Sequence, residues 1–104
     1  MQNDDDDTQV VEDRTDYESG MVEAVMIRVT PSDSSHPCGW KYRLHFGAVG
    51  ADEPVLRYDN AHEIEKGHER HTADSVEIID FPGMMDLHDR FIEEVDEWWQ
   101  THDE

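Results

Sequence analysis

A stretch near the middle of the chain, in which apolar and basic residues alternate, limits the fold more than any other feature. Its order is Trp40-Lys41-Tyr42-Arg43-Leu44-His45-Phe46. Successive side chains of a strand point to opposite faces of a sheet, so alternation with a period of two is typical of a half-buried strand. The stretch therefore predicts an antiparallel strand with an apolar face toward a core and a basic face toward solvent.

Three further segments have strand character. Residues 20–30 are rich in β-branched side chains, and residues 55–58 form a shorter candidate that ends in turn chemistry. Residues 76–79 are a weaker fourth candidate because they are so few. The polar segment 62–75 is expected to be irregular, since it lacks any apolar periodicity.

The C-terminal segment has the spacing of an amphipathic helix. Its apolar stripe consists of Met84, Leu87, Phe91, Val95 and Trp98. Acidic residues occupy the opposite face, and Pro82 suits the first turn. A sheet and a helix with one apolar face each predict an α+β domain. We expect a small antiparallel sheet of three to four strands with the helix packed across one face.

The two ends of the chain are expected to lie outside this domain. Residues 1–14 include four consecutive aspartates and are predicted to be a disordered acidic tail, residues 15–100 a single domain, and residues 101–104 a frayed C-terminus. No apolar run approaches the roughly 20 residues that cross a bilayer, and no signal-peptide pattern is present. A cytoplasmic protein without a membrane contact is therefore expected.

The chain is strongly acidic, with 27 Asp and Glu against 8 Lys and Arg and a net charge of −19. The excess lies at the ends, because residues 1–19 carry −7 and residues 76–104 carry −9, whereas residues 20–61 carry only −1. Halophilic adaptation and mimicry of a nucleic acid both explain such acidity, and the scarcity of lysine favours the first. In molar salt the Debye length is about 3 Å, so local contacts would decide the binding of a polyanion.

The basic face of the predicted strands is a candidate phosphate-binding surface. Lys41, Arg43 and His45 share that face, and Arg57 joins them if Leu56 faces the helix. An ordinary solvated sheet face is the alternative interpretation. In so acidic a chain, cations grouped away from carboxylates favour a site for an anionic ligand.

Histidines are concentrated in the segment that follows. It reads His62-Glu63-Ile64-Glu65-Lys66-Gly67-His68-Glu69-Arg70-His71. Imidazoles beside Lys66 and Arg70 are suited to proton transfer at a phosphodiester, because their pKa lies near neutrality and the cations hold the charge. Two alternatives remain open, a metal site with ligands His62, His68, His71 and Asp59, and a hydrophilic loop whose histidines have no joint role.

Two other features have weaker functional interpretations. Of Trp98 and Trp99 near the end of the helix, one is expected to close the core and the other to be an exposed contact for a partner. Cys38, with His36 nearby in a loop, is the one cysteine of the chain. It excludes an internal disulfide and a Cys-rich zinc module, and is interpreted as incidental.

The strand and loop motifs together resemble the TumE family. The similar elements are Trp40-Lys41-Tyr42-Arg43-Leu44, Leu56-Arg57-Tyr58-Asp59-Asn60-Ala61-His62 and Lys66-Gly67-His68-Glu69-Arg70-His71. The resemblance extends over residues 16–98 and leaves the aspartate tail outside. It implies the growth-inhibiting toxin of a type II toxin–antitoxin module, neutralised by a cognate antitoxin that is expected to be a helix-turn-helix DNA-binding protein.

The resemblance has one departure in the histidine segment. The family pattern as a rule has His-x-His after the glycine, whereas Glu69 stands in the first of those places and His68 is displaced by one. If the first histidine of the pattern is catalytic, either His68 replaces it through a shifted loop or the activity is weakened. Ribonuclease action is inferred only by analogy with other small toxins.

The leading hypothesis is therefore a toxin that acts on RNA, with no cofactor expected. Its predicted catalytic residues are Arg57, Asp59, His68 and His71, and its predicted RNA-binding residues are Lys41, Arg43, His45, Lys66 and Arg70. The alternatives are a non-enzymatic protein-interaction module that uses Trp98 and Trp99, and a His-based metal-binding regulator. The oligomeric state stays open and includes a homo-oligomer.

Overall fold

The structure is a computed structural model that describes residues 8–31 and 35–102. Its elements are strands β1 (Thr8–Asp16), β2 (Met21–Val29), β3 (Trp40–Ala48) and β4 (Leu56–Asp59), helix α1 (Glu63–Lys66), strands β5 (His68–Thr72) and β6 (Val76–Ile79), and helix α2 (Met84–His102). The six strands form one antiparallel sheet in chain order, and α2 packs on one of its faces. The predicted α+β class with an antiparallel sheet and a C-terminal helix is confirmed.

The number of strands differs from the expected three to four. Strand β1 occupies residues 8–16, so residues 8–14 are not the disordered tail that was expected, while residues 1–7 of that tail lie outside the described residues. Strand β1 is polar but pairs with β2 over its whole length, for example Asp13 with Val25. Backbone pairing to a neighbouring strand stabilises it without an apolar pattern, and its charges suit the edge of a sheet.

The second unexpected strand lies inside the segment 62–75, which was expected to be irregular. Residues 68–72 form β5, between β4 and β6 in the sheet. Every residue of β5 is polar, so the segment offers no apolar alternation from which a strand is recognised. The structure stabilises it by ladder hydrogen bonds and by polar partners on both faces of the sheet.

The core lies between α2 and the apolar face of the sheet. Alternate residues of the central strands are buried there, and α2 covers them with Met84, Leu87, Phe91 and Val95, four members of the predicted stripe. Helix α2 runs through Thr101 and His102, which the frayed C-terminus was expected to include; residues 103–104 lie outside the described residues.

The opposite face of the sheet is not covered by a helix, and the register arranges its side chains in rows across the strands. One row consists of Met26, Arg43, Asp59 and Glu69, and the next of Ala24, His45, Arg57 and His71. The polar face predicted from the alternation in β3 is therefore present, and it extends over β4 and β5. Neither helix in the described part of the chain has the length and apolar character that a bilayer crossing requires.

Candidate functional site

The uncovered face of the sheet contains a groove of about 400 Å³. Its charged and imidazole-bearing lining residues are Lys41, Arg43, Arg57, Asp59, His62, Lys66, Glu69 and His71. We call this feature the strand groove. Strands β3, β4 and β5 form its floor, and α1 with the residue before it forms one edge. Six of the nine predicted catalytic and RNA-binding residues lie in this groove. The period of two predicted this face for three of them, Lys41, Arg43 and Arg57.

The strand groove contains three cations that have no carboxylate within 4.0 Å among the residues that the structure describes. These are Lys41, Arg43 and Lys66. Arg43 is exposed and Lys66 is exposed, whereas Lys41 is half-buried. Cations with no internal partner are available to an anionic ligand, and their number here is notable in a chain with a net charge of −19.

The acidic residues of the strand groove are already engaged with an imidazole. His71 Nε2 lies 3.1 Å from Glu69 Oε1 and 3.4 Å from Asp59 Oδ2, and Asp59 Oδ2 also accepts a hydrogen bond of 3.2 Å from Arg57 Nε. The Asp59 Oδ1 atom accepts the backbone N–H of Ala61 at 3.2 Å. Asp59 and Glu69 are directly opposed on β4 and β5, where two like charges destabilise a sheet unless something lies between them. We call Asp59, Glu69 and His71 the open cluster.

A second depression, of about 520 Å³, adjoins the strand groove and shares Arg43 with it. His45 lies in this depression rather than in the groove, beside Arg14 of β1. Burial lowers the pKa of His45, and the neighbouring guanidinium groups of Arg43, Arg57 and Arg14 lower it further. His45 therefore contributes to the same face as a neutral imidazole near pH 7.

Two predicted site residues, His68 and Arg70, point to the other face of the sheet. On a strand, residues 68 and 70 necessarily face away from residues 69 and 71. Arg70 donates to Glu94 of α2 at 2.9 Å and to the Tyr58 hydroxyl at 3.2 Å, so its charge holds the helix rather than an external anion. The prediction that His68 and Arg70 share a surface with Lys41 and Arg43 is wrong, because β5 is a strand and not a loop.

His68 belongs to a separate, buried group on the helix-facing side. His68 Nδ1 is 2.7 Å from the Tyr42 hydroxyl, and its Nε2 is 3.3 Å from Glu63 Oε2. The imidazole stacks on Phe81 with 4.5 Å between ring centroids. Glu63 Oε2 also accepts the backbone N–H of Cys38 at 3.1 Å. We call Cys38, Glu63 and His68 the closed cluster, since their side-chain ligand atoms lie within 4.8 Å of one another and are largely shielded from solvent.

Asn60 holds the closed cluster together from the end of β4. It is fully buried and donates through Nδ2 to the Trp40 carbonyl at 2.7 Å and to Glu63 Oε1 at 3.0 Å. Its Oδ1 accepts the backbone N–H of Tyr42 at 3.1 Å. The Asn60 amide thus connects the start of β3, the end of β4 and α1, a role that the turn chemistry of the sequence did not reveal.

Burial dominates the acidity of the closed cluster. It raises the pKa of the Cys38 thiol to about 11, with the Glu63 carboxylate adding to the rise, and it raises the pKa of Tyr42 above the ordinary phenol value. Cys38 Sγ donates to the Trp40 carbonyl at 3.4 Å and receives a weak N–H contact from Asn60 at 3.6 Å. The thiol is therefore protonated near neutral pH and is a poor nucleophile.

The metal-ligand set considered from the sequence is not brought together. His62 and His71 line the strand groove with Asp59, while His68 is on the opposite side of the sheet. Within residues 8–31 and 35–102, the residues that do converge form two sets of three, the open cluster and the closed cluster. Glu63 and Cys38, which sequence reasoning left without a role, are the members that it missed.

Trp98 and Trp99 both pack against the core. Their ring centroids lie 5.2 Å and 5.7 Å from that of Phe46, and Trp99 also contacts Tyr17 at 5.0 Å. Both are half-buried, so the expected division into one core residue and one exposed contact is wrong. Helical spacing did not reveal that neighbouring indoles both reach the same phenylalanine.

The fold and the groove define the class of protein, a single-sheet α+β domain that presents cations and imidazoles in a groove on the face opposite α2. The family model for Toxin TumE matches residues 2–99, nearly the whole chain, and the chain therefore belongs to this toxin family. The resemblance identified over residues 16–98 is confirmed, and the match also includes the aspartate run near the N-terminus, which was expected to lie outside it. No curated protein and no solved structure matches the chain significantly.

Proposed function

We propose that this chain is the toxin of a toxin–antitoxin pair that binds RNA in the strand groove and cleaves it there, in the cytoplasm. The observation that carries the proposal is the presence, in one groove, of three cations without carboxylate partners among the described residues and of an imidazole held between two carboxylates. Family membership supports the toxin part of the proposal, and the groove supports the choice of RNA as the target.

Binding would rest on the phosphate backbone. Lys41, Arg43 and Lys66 are spread around the groove, so they can contact phosphates along an extended single strand. The acidic excess of the chain lies mainly in its terminal segments, and molar salt screens it over about 3 Å. We propose haloadaptation as the reason for that excess, and RNA assays therefore belong in concentrated potassium chloride as well as in dilute buffer.

Cleavage would use His71 as the proton acceptor. The carboxylates of Glu69 and Asp59 favour the tautomer that carries its proton on Nε2, so Nδ1 has a free lone pair. Nδ1 takes the proton of an RNA 2′-hydroxyl, and the 2′-oxygen attacks the adjacent phosphorus. The P–O5′ bond breaks, the products are a 2′,3′-cyclic phosphate and a 5′-hydroxyl, and the leaving oxygen takes its proton from His62, the other imidazole of the groove.

Arg57 would stabilise the charge that develops on phosphorus. Its guanidinium lies in the groove and donates one hydrogen bond to Asp59, which orients it and leaves its other N–H groups for phosphate oxygens. In this proposal Asp59 positions Arg57 and His71. Glu69 occupies the first histidine position of the family's His-x-His pattern, and its carboxylate orients His71.

Growth arrest and RNA cleavage test the chemistry together. His71→Gln keeps a side-chain amide near Glu69, but an amide cannot accept the proton of the 2′-hydroxyl. We therefore expect the cleavage rate to fall about 100-fold or more and growth arrest to be relieved. His88→Gln on α2 is the matched control and should cleave like the wild type. Far-UV circular dichroism checks that both variants fold.

The outcomes separate the two function classes. If wild-type protein arrests growth without cleaving RNA at any salt concentration, and His71→Gln arrests growth equally, the ribonuclease proposal is wrong and a non-enzymatic interaction module remains. Arg43→Gln tests binding separately: we expect weaker RNA affinity and a smaller salt dependence, by about 0.7 in the log–log slope for each lost phosphate contact. Arg90→Gln on α2 is the control.

Neutralisation by a cognate antitoxin is part of the same proposal. We propose that the half-exposed rings of Trp98 and Trp99, at the C-terminal end of α2, contact the antitoxin, for which a helix-turn-helix protein is expected. Co-expression of the product of a neighbouring gene should restore growth and yield a complex on gel filtration. Restoration that is undiminished in a folded Trp98→Leu, Trp99→Leu variant would remove this surface from the proposal.

A further inference from the structure

The closed cluster combines a thiol, a carboxylate and an imidazole in a buried position that the proposed RNA chemistry does not use. Cys38 comes from the loop before β3, Glu63 from α1 and His68 from the start of β5. His36 lies two residues before Cys38, and its Nδ1 is 3.7 Å from Glu63 Oε1. Three potential ligands, His36, Cys38 and His68, thus lie around the Glu63 carboxylate, and the four residues come from three separate segments.

We propose that His36, Cys38, Glu63 and His68 bind one Zn²⁺ ion. This ligand set has the sulfur, nitrogen and oxygen donors that zinc accepts, and four protein ligands without an open position are typical of a structural site. The proposal is independent of the RNA chemistry in the strand groove, because no residue of the open cluster takes part. It departs from the leading hypothesis of the sequence analysis, which expects no cofactor, and it uses a ligand set different from the one considered there.

The distances suit a tetrahedral ion. Zinc–nitrogen and zinc–oxygen bonds of about 2.0–2.2 Å at tetrahedral angles put neighbouring ligand atoms about 3.3–3.6 Å apart. The observed separations are 3.3 Å between His68 Nε2 and Glu63 Oε2 and 3.7 Å between His36 Nδ1 and Glu63 Oε1. Cys38 Sγ lies within 4.8 Å of the His68 and Glu63 ligand atoms, so these three already converge. His36 approaches the other oxygen of Glu63, so its ring has to move toward the three to become the fourth ligand.

The neighbours of the cluster are those that metal ligands require. The Tyr42 oxygen lies 2.7 Å from His68 Nδ1 and can accept a hydrogen bond from an N–H at that nitrogen. In this tautomer the Nε2 lone pair is free to bind a metal. Asn60 Nδ2 lies 3.6 Å from Cys38 Sγ, so the N–H that donates to Glu63 Oε1 can be shared with a thiolate there. Tyr42 in β3 and Asn60 at the end of β4 are both buried. They therefore orient His68 and Cys38 before an ion binds.

The charges of the loaded site balance. The Cys38 thiol loses its proton to solvent when sulfur binds the ion, and the thiolate with the Glu63 carboxylate neutralises the two positive charges of zinc. The two imidazoles bind in their neutral form. A buried ion with matched ligand charge avoids the cost of an isolated buried charge. The ion would connect the 35–39 loop to α1 and β5, and α1 forms an edge of the strand groove.

Metal content and cobalt spectroscopy test the site in tag-free, full-length protein, since a histidine tag binds the same ions. After removal of metal and reconstitution with zinc, we expect one zinc per chain by mass spectrometry. With Co²⁺ we expect a thiolate-to-cobalt charge-transfer band and the intense visible bands of a tetrahedral ion. Cys38→Ser should lose the charge-transfer band, and His71→Gln in the open cluster should keep it.

A second measurement needs no variant. Cys38 is the one cysteine of the chain, so alkylation by iodoacetamide reports on this thiol alone. We expect zinc to slow its alkylation at least about tenfold, because a coordinated thiolate is blocked. Zinc content well below one per chain, an alkylation rate unaffected by zinc, or loss of the ion in His71→Gln with retention in Cys38→Ser would each overturn the proposal. Growth arrest is not part of either readout, so failure here leaves the ribonuclease proposal untouched.

Discussion

The two faces of strand β5 put the same kinds of side chain to different uses. Glu69 and His71 line the strand groove. On the other face, His68 contacts Glu63 of α1 and Arg70 contacts Glu94 of α2. All four residues lie within one polar stretch of the sequence. The difference teaches that the second layer supplies internal partners for the charged groups on the covered face, whereas exposed cations of the open face, such as Arg43, are accessible to an external anion.

The cost of removing a side chain should therefore differ between the two faces. On the helix-facing side, polar groups are buried with their partners, and loss of one partner leaves the others without compensation. On the groove side, the exposed cations Arg43 and Lys66 are already solvated, so the loss of one should cost little stability. The predictions that follow compare stability on the two faces, from the largest expected effect to the smallest, in metal-free protein at molar salt.

Asn60→Ala should have the largest effect. It removes the amide that satisfies the Trp40 carbonyl, the Tyr42 N–H and the Glu63 carboxylate, all in a fully buried position. We expect a loss of about 3–5 kcal/mol in the free energy of unfolding, measured in urea. Gln100→Ala, exposed on α2, is the control and should change stability by less than about 0.5 kcal/mol. A loss below about 1 kcal/mol for Asn60→Ala would contradict the central role of this amide.

His68→Gln and His71→Gln compare the two imidazoles directly. His68 stacks on Phe81 and bonds to Tyr42, so its replacement should cost about 2 kcal/mol. His71 lies between Glu69 and Asp59, and the glutamine amide can still donate a hydrogen bond to these carboxylates, so its replacement should cost less than about 1 kcal/mol. Equal losses of stability in the two variants would show that the groove imidazole is as structural as the buried one.

Arg70→Met and Arg43→Met compare the two guanidinium groups. Arg70 holds Glu94 and the Tyr58 hydroxyl between sheet and helix, and we expect its loss to cost about 1–2 kcal/mol. Arg43 has no carboxylate within 4.0 Å among the described residues, so its replacement should leave the urea midpoint nearly unchanged while weakening RNA binding. A larger loss of stability in Arg43→Met than in Arg70→Met would contradict the assignment of Arg70 to a structural role and of Arg43 to RNA binding.

The smallest effect concerns the pH dependence of stability at His45. Its folded pKa is lowered by burial and by Arg43, Arg57 and Arg14, so the unfolded chain binds more protons near the ordinary pKa of 6.5. The stabilising contribution is therefore present above that pKa and is lost as the pH falls through it. We expect His45→Asn to lose less stability than wild type between about pH 7.5 and pH 5. Identical losses would contradict the lowered pKa.

Much of the fold was predictable because it depends on local periodicity. The alternation in β3 and the stripe of α2 each identify a buried face directly, and they predicted the orientation of Lys41, Arg43 and Arg57. Strands β1 and β5 were not predictable in this way. Strand β5 is polar on both faces, and β1 is mostly polar with Val11 packed against the core, so pairing with a neighbouring strand rather than an apolar alternation defines them.

The candidate site divides along the same line. Arg57, Asp59 and His71 were expected to lie with the cations of β3, and they share the strand groove with Lys41 and Arg43. His68 was assigned to the wrong face, because the phase of β5 depends on its pairing with β4 rather than on its own sequence. The closed cluster was missed because Cys38, Glu63 and His68 are far apart along the chain and carry no ligand-like spacing.

The amino-acid sequence alone determined the family, the half-buried basic strand and the amphipathic helix. Each of these is recognisable from residues that are near one another in the chain. Only the tertiary structure decided which polar residues bind internal partners and which face the solvent. The physical reason is that a side chain's availability depends on what packs against it, and for β5 those neighbours are β4, α1 and α2.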